Sequence, residues 1–124
     1  MTVNPVVHFE IPVIDMPRAK AFYEAVFTVT LEPTRIDGNE MALFPWAEGR
    51  PGASGALACG DSYVPGAAGP RIYFGVENIA ATLQRALDAG ATPNYPITQV
   101  PGQGSVAEFI DTKGNCIALH SNGA

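Results

Sequence analysis

The chain has 124 residues, 47% of them hydrophobic and 15% charged. That is enough apolar material for one core and too little length for a second folded domain. Seven basic residues against 12 acidic ones leave a net charge of -5, which opposes unspecific binding to nucleic acid or to an anionic membrane surface. Apolar runs stay far below the roughly 20 residues that cross a bilayer, and residues 1–5 form no basic-then-apolar leader, so a cytoplasmic protein is expected. Cys59 and Cys116 stand 57 positions apart, each in an apolar run. Their spacing offers neither a zinc knuckle nor a redox pair, and two buried free thiols are the expectation.

In chain order, residues 6–13 read VVHFEIPV. Val7, Phe9, Ile11 and Val13 share one parity and His8, Glu10 and Pro12 the other, the period of a strand with one face on a core. Asp15 then supplies a helix cap, with Pro17 in the first turn and Ala19, Phe22, Tyr23, Val26 and Phe27 at helical spacing. Strand-like runs follow at 29–35, 41–45 and 55–59, separated by Asp37-Gly38-Asn39 and a Gly/Pro-rich stretch at 48–54. Residues 60–70 gather Gly, Pro and Ser without periodicity and read as a connector.

The order then repeats: a strand at 71–76, a cap at Asn78, and a helix carrying Ile79, Leu83, Ala86 and Leu87, ended by Gly90. Strands at 92–97, 105–110 and 116–120 close the second half, with Gly102-Gln103-Gly104 and Lys113-Gly114-Asn115 as turns. A shift of 63 residues lays Phe9 on Ile72, Ile11 on Phe74, Val13 on Val76 and Asp15 on Asn78. Core and cap positions persist while identities change, as a duplicated unit would leave them. The expected fold is therefore α+β, one domain over 1–124 built of two tandem βαβββ modules at about 5–60 and 71–122.

On the face opposite the core, the same shift lays His8 on Arg71 and Glu10 on Tyr73. Glu108, between Ala107 and Phe109, and His120, sharing parity with Ala118 and Cys116, can join that face. His8, Glu10 and Glu108 are candidate acid/base residues, since imidazole titrates near neutrality and a sheltered glutamate can be moved there. Arg71, Tyr73 and His120 are candidate ligand contacts. Arg71 can grip an anionic ligand or pair with Glu10 or Glu108, and Trp46 and Tyr63 can add aromatic walls. His8, Glu10, Glu108 and His120 also have the donor types of a divalent metal site.

The segments HFEIPVIDMPRAKAFYEAVF and FIDTKGNCIALH, with this order of elements, resemble the vicinal-oxygen-chelate superfamily of glyoxalases, bleomycin-resistance proteins and extradiol dioxygenases. The likeness spans nearly the whole chain. It implies paired modules curling into an open barrel around a small-molecule ligand or a divalent metal, often as a homodimer. In the glyoxalase I pattern one metal ligand comes from the first and one from the last strand of each module. His8 matches the first position, whereas Arg71 replaces the second-module ligand, Ala118 the usual glutamate, and no carboxylate lies near Ala56 and Leu57. The expectation is a glyoxalase-like small-molecule-binding protein without the usual metal site. Its alternatives are a metal-dependent lyase, isomerase or dioxygenase, and a drug-sequestering protein of the bleomycin-resistance kind.

Overall fold

The computed structural model describes residues 4–122. The elements run β1 (His8–Pro12), α1 (Met16–Phe27), β2 (Glu32–Ile36), β3 (Asn39–Leu43), β4 (Ser54–Cys59), β5 (Ile72–Gly75), α2 (Ile79–Asp88), β6 (Thr92–Val100), β7 (Gly104–Ile110) and β8 (Cys116–Ser121). The order is βαβββ twice. Each module folds into a four-stranded mixed sheet, β1-β4-β3-β2 in the first and β5-β8-β7-β6 in the second, with its opening strand at one edge, parallel to its closing strand.

The caps act as their residue types dictate. Asp15 accepts from the Arg18 amide at 3.1 Å and Asn78 from the Ala81 amide at 3.0 Å, satisfying donors that the first turn leaves free. Gly90, at φ 107°, follows α2 in the left-handed conformation, where a residue without Cβ is unstrained. The same backbone region is occupied after α1 by Thr28, at φ 53°.

Differences from the sequence reading lie mostly at strand ends, with β1 and β5 shorter and β2 beginning three residues later than its apolar run suggests. The largest is β6, which continues to Val100 through Pro93 and Pro96. It is an edge strand, where a missing amide need not break a ladder, and its register slips between Pro93 and Thr98. Cys59 and Cys116 are free but only half buried, which corrects the expectation of buried thiols.

One hydrophobic cluster joins the modules. Ile11, Val13, Ala19, Phe22, Val26 and Leu57 of the first meet Ala86, Phe109, Ile117 and Leu119 of the second, and α1 packs on α2. The edge strands approach through aromatic rings: Phe74 lies 5.6 Å from Phe9, 5.6 Å from Phe44 and 4.3 Å from Phe27, the last pair stacked.

A polar clasp lies within this junction. Asp111, in the turn before β8, accepts the Lys113 and Asn115 amides at 2.8 and 2.9 Å on one carboxylate oxygen. Its other oxygen accepts the Tyr23 hydroxyl of α1 and the Asn115 amide nitrogen. Asn115 in turn donates to the Pro12 carbonyl at 2.8 Å and accepts from the Gly66 amide at 3.1 Å. The turn before the last strand is thereby fastened to β1, α1 and the connector. Tyr23 and Asp111 are buried, and burial, followed by the Asp111 charge and hydrogen bond, holds the Tyr23 phenol well above its usual pKa.

Candidate functional site

Strand pairing places the open-face residues in rows. Across sheet one, Glu10 lies beside Ala56, and Ala56 beside Leu43; His8 lies beside Ser54 and Pro12 beside Ala58. Across sheet two, Tyr73 lies beside Ala118, and Ala118 beside Glu108; Gly75 lies beside His120. The two central rows correspond, so the first-module counterpart of Ala118 is Ala56. Leu57 points to the core with Ile11 and Ala42.

The polar side chains form three hydrogen-bonded sets. In the first, His8 Nε2 sits 3.3 Å from Glu10 Oε2, and the Tyr63 hydroxyl donates to Glu10 Oε1 at 2.8 Å. That bond, more than any other cause, raises the Tyr63 phenol pKa. Tyr63 comes from the connector, and its ring packs on Met41, Ala56 and Ala58.

In the second set, Arg71 Nη1 donates to Glu108 Oε2 at 3.0 Å and Asn94 Nδ2 to Glu108 Oε1 at 2.9 Å. Of the two carboxylates open to Arg71 in the sequence, the structure selects Glu108. The Cys116 thiol lies 3.6 Å from the same Oε1, and its pKa is raised, first by burial and then by the Glu108 charge. His120 forms the third set, Nε2 lying 2.6 Å from the Gln103 carbonyl. Neither contact was expected from the sequence: Asn94 was read only within a strand and Gln103 only within a turn, and spacing gives no sign of which side chain they meet.

The structure thus joins His8 to Glu10 and Arg71 to Glu108, and holds His120 apart at the far end of β8. Among the described residues, no three His, Cys, Asp or Glu side chains are grouped closely enough to hold a metal ion. The donor set does not fit the divalent ion that the fold family implies. Ala56 and Ala118, both wholly buried, offer no ligand atom beside Glu10 and Tyr73, and Arg71 cannot give up a proton to ligate.

Two concavities flank these sets. His8 lines a recess of about 280 Å³ with Val7, Leu43, Phe44 and Trp46. Tyr73 lies on the rim of a groove of about 770 Å³ between the modules, floored by Phe9, Phe44 and Phe74. Glu10, Arg71, Glu108 and His120 line neither of these two. They face the open sides of the sheets, where Tyr73 is 54% and Tyr95 44% exposed.

Comparison with known proteins finds no significant match among curated sequences. Solved structures share the fold. TnmS3, an antibiotic binding protein from Streptomyces sp. CB03234, is 24% identical with a TM-score of 0.70, the alignment covering 98% of each chain. The genomically encoded fosfomycin resistance protein FosX from Listeria monocytogenes is 19% identical with a TM-score of 0.72, over 99% of this chain and 96% of that one. A glyoxalase I mutant from Zea mays is 17% identical with a TM-score of 0.70, over 95% of this chain; the chain spans only 46% of that protein's length. The model of the Glyoxalase/Bleomycin resistance protein/Dioxygenase superfamily matches residues 6–119, and the chain, with its two βαβββ modules, belongs to that superfamily.

Proposed function

We propose that the protein binds a small organic molecule on the open sheet faces without the usual metal site. Arg71, Tyr73 and His120 are its contacts, and His8, Glu10 and Glu108 are the groups available for proton transfer. The observation that carries this reading is the pair of matching rows. Ala118 stands where the glyoxalase I resemblance implies a glutamate and Ala56 where it implies a further carboxylate, while the polar groups around them are already held by hydrogen bonds. Such prearranged polar groups beside exposed aromatic surface suit recognition of an organic ligand. The metal-dependent lyase, isomerase or dioxygenase reading draws less support, because His8 and Glu10 would have to recruit ligands from a sheet that offers Arg71 and Ala118.

A second reading, sequestration of a cationic drug, is favoured by the exposed Tyr73 and Tyr95, which share a row of sheet two with Glu108, and by the exposed Trp46 beside His8. It agrees with the fold shared with an antibiotic binding protein. The same exposed rings offer apolar surface for a second copy, so a homodimer belongs to this reading, and the two free thiols suit a cytoplasmic setting. Neither nucleic acid nor membrane is a partner in this reading, given the net charge of -5.

A thermal-shift screen of organic ligands tests the proposal, since a ligand that prefers the folded state raises the melting temperature. The expected result is saturable stabilisation by a small organic compound that is weakened in Arg71→Ala or Tyr73→Ala. Conversion of the bound compound to a product would point to catalysis, and its recovery unchanged to sequestration. Ligand stabilisation indifferent to both substitutions counts against the open faces.

A further inference from the structure

The groove between the modules is separate from the hydrogen-bonded sets just described. Phe9, Phe74 and Val76, which line it, have core-face parity, whereas His8, Glu10 and Arg71 have the opposite one. Its volume, about 770 Å³, lies within the range of small-molecule sites. Its floor is apolar and rigid, because Phe74 is stacked on Phe27 and tilted against Phe44.

One cation lines this groove. Arg85 of α2 donates Nε to the Val26 carbonyl at 2.9 Å and Nη2 to Thr82 Oγ1 at 3.2 Å. The first bond satisfies a carbonyl near the end of α1, a helix with no basic residue in its last turn. Helix capping accounts for Nε alone. Among the described residues no carboxylate pairs with Arg85, although the chain carries 12 acidic residues, and no protein acceptor engages Nη1. A half-buried guanidinium held on one edge by two fixed acceptors presents its remaining donors as a fork, the geometry that suits a carboxylate. Glu77 lies on the same groove, so a ligand with a single negative charge is favoured over a dianion.

We propose that this groove is a second binding site for an aromatic monocarboxylate, its carboxylate on Arg85 and its ring over Phe9, Phe44 and Phe74. The proposal does not depend on what the open faces bind.

The test follows backbone and Arg Nε resonances of the unaltered protein by NMR during titration with 1-naphthylacetate, 1-naphthylacetamide and inorganic phosphate. The acid should bind saturably and roughly tenfold or more tighter than its neutral amide, the scale of one charge-assisted contact. Shifts should fall on Phe74, Thr82 and Arg85, and phosphate should cause no comparable change. Arg85→Gln should remove the preference for the acid, and Arg85→Lys should weaken it. Equal affinity for acid and amide, equal binding of phosphate, or shifts confined to the faces of Glu10 and Glu108 would overturn the proposal. So would the absence of saturable shifts at millimolar ligand, including a groove covered by a second copy of the chain. The acid-to-amide comparison needs no variant, so it stands even if Arg85→Gln fails to fold.

Discussion

The two modules follow the same path with different occupants, and the exchanges are compensated on one face and not on the other. On the core face Phe9 pairs with Gly55 in module one, while Ile72 pairs with Ile117 in module two. A large ring over glycine and two medium side chains fill similar space, so packing is preserved through a change of both partners. On the open face Glu10, Ala56 and Leu43 form one row and Tyr73, Ala118 and Glu108 the other. The carboxylate moves from the opening strand to the third strand of its module, with no counter-change that restores a shared ligand set. Core positions answer to one another through contact, whereas in the proposed reading open-face positions answer to a ligand.

Breaking the core-face compensation should produce the largest effect. In Gly55→Ala the new methyl would collide with the Phe9 carbonyl and lie 2.7 Å from its ring. Backbone cannot yield there without parting β1 from β4, so a loss of about 3–5 kcal/mol is expected in urea denaturation. An Ile117→Val change at the matching place in module two should cost about 1 kcal/mol.

Next in size is the clasp that joins the modules. Asp111→Ala leaves the Tyr23 hydroxyl, two amides and the Asn115 side chain without their acceptor, a loss of about 3 kcal/mol. Tyr23→Phe removes one donor and should cost about 1–2 kcal/mol. The same pair sets an alkaline limit. Burial and the Asp111 carboxylate hold the folded-state pKa of Tyr23 well above the ordinary tyrosine value, so its contribution is complete below pH about 10 and declines as the unfolded chain begins to lose its phenolic proton. Stability measured from pH 9 to 11 should fall more steeply in the parent than in Tyr23→Phe.

The open faces should respond less. In Glu10→Gln the Tyr63 phenol loses the carboxylate that raises its pKa, so its ultraviolet titration should move down toward the ordinary tyrosine range with the fold intact. In Arg71→Ala the lost ion pair has its arginine 44% exposed and its glutamate 12% exposed; Glu108 keeps the Asn94 amide, and a change of about 1 kcal/mol is expected by thermal denaturation. Small costs on both faces, beside large ones at Gly55 and Asp111, are the pattern that the comparison requires.

Much of this division was legible in the chain. Alternation in VVHFEIPV and the 63-residue shift located the opening strands, and Asp15 and Asn78 marked both helix starts, because period and cap chemistry are local. Parity also assigned His8, Glu10, Arg71, Glu108 and His120 to the open faces. Their partners were not legible. Tyr23 meets Asp111 across 88 positions and Tyr63 meets Glu10 across 53, and no periodicity encodes which distant side chain folding brings near. Arg85 was not singled out in the sequence, since its role depends on the Val26 carbonyl of another helix.

The central claim, that the fold persists while the metal-ligand set is lost, is tested most directly by titrating Mn²⁺, Ni²⁺, Zn²⁺ and Fe²⁺ in turn by calorimetry, with His8→Ala as reference. The predicted result is no saturable binding at one ion per chain that depends on His8. Stoichiometric binding in the parent that disappears in His8→Ala would contradict the account.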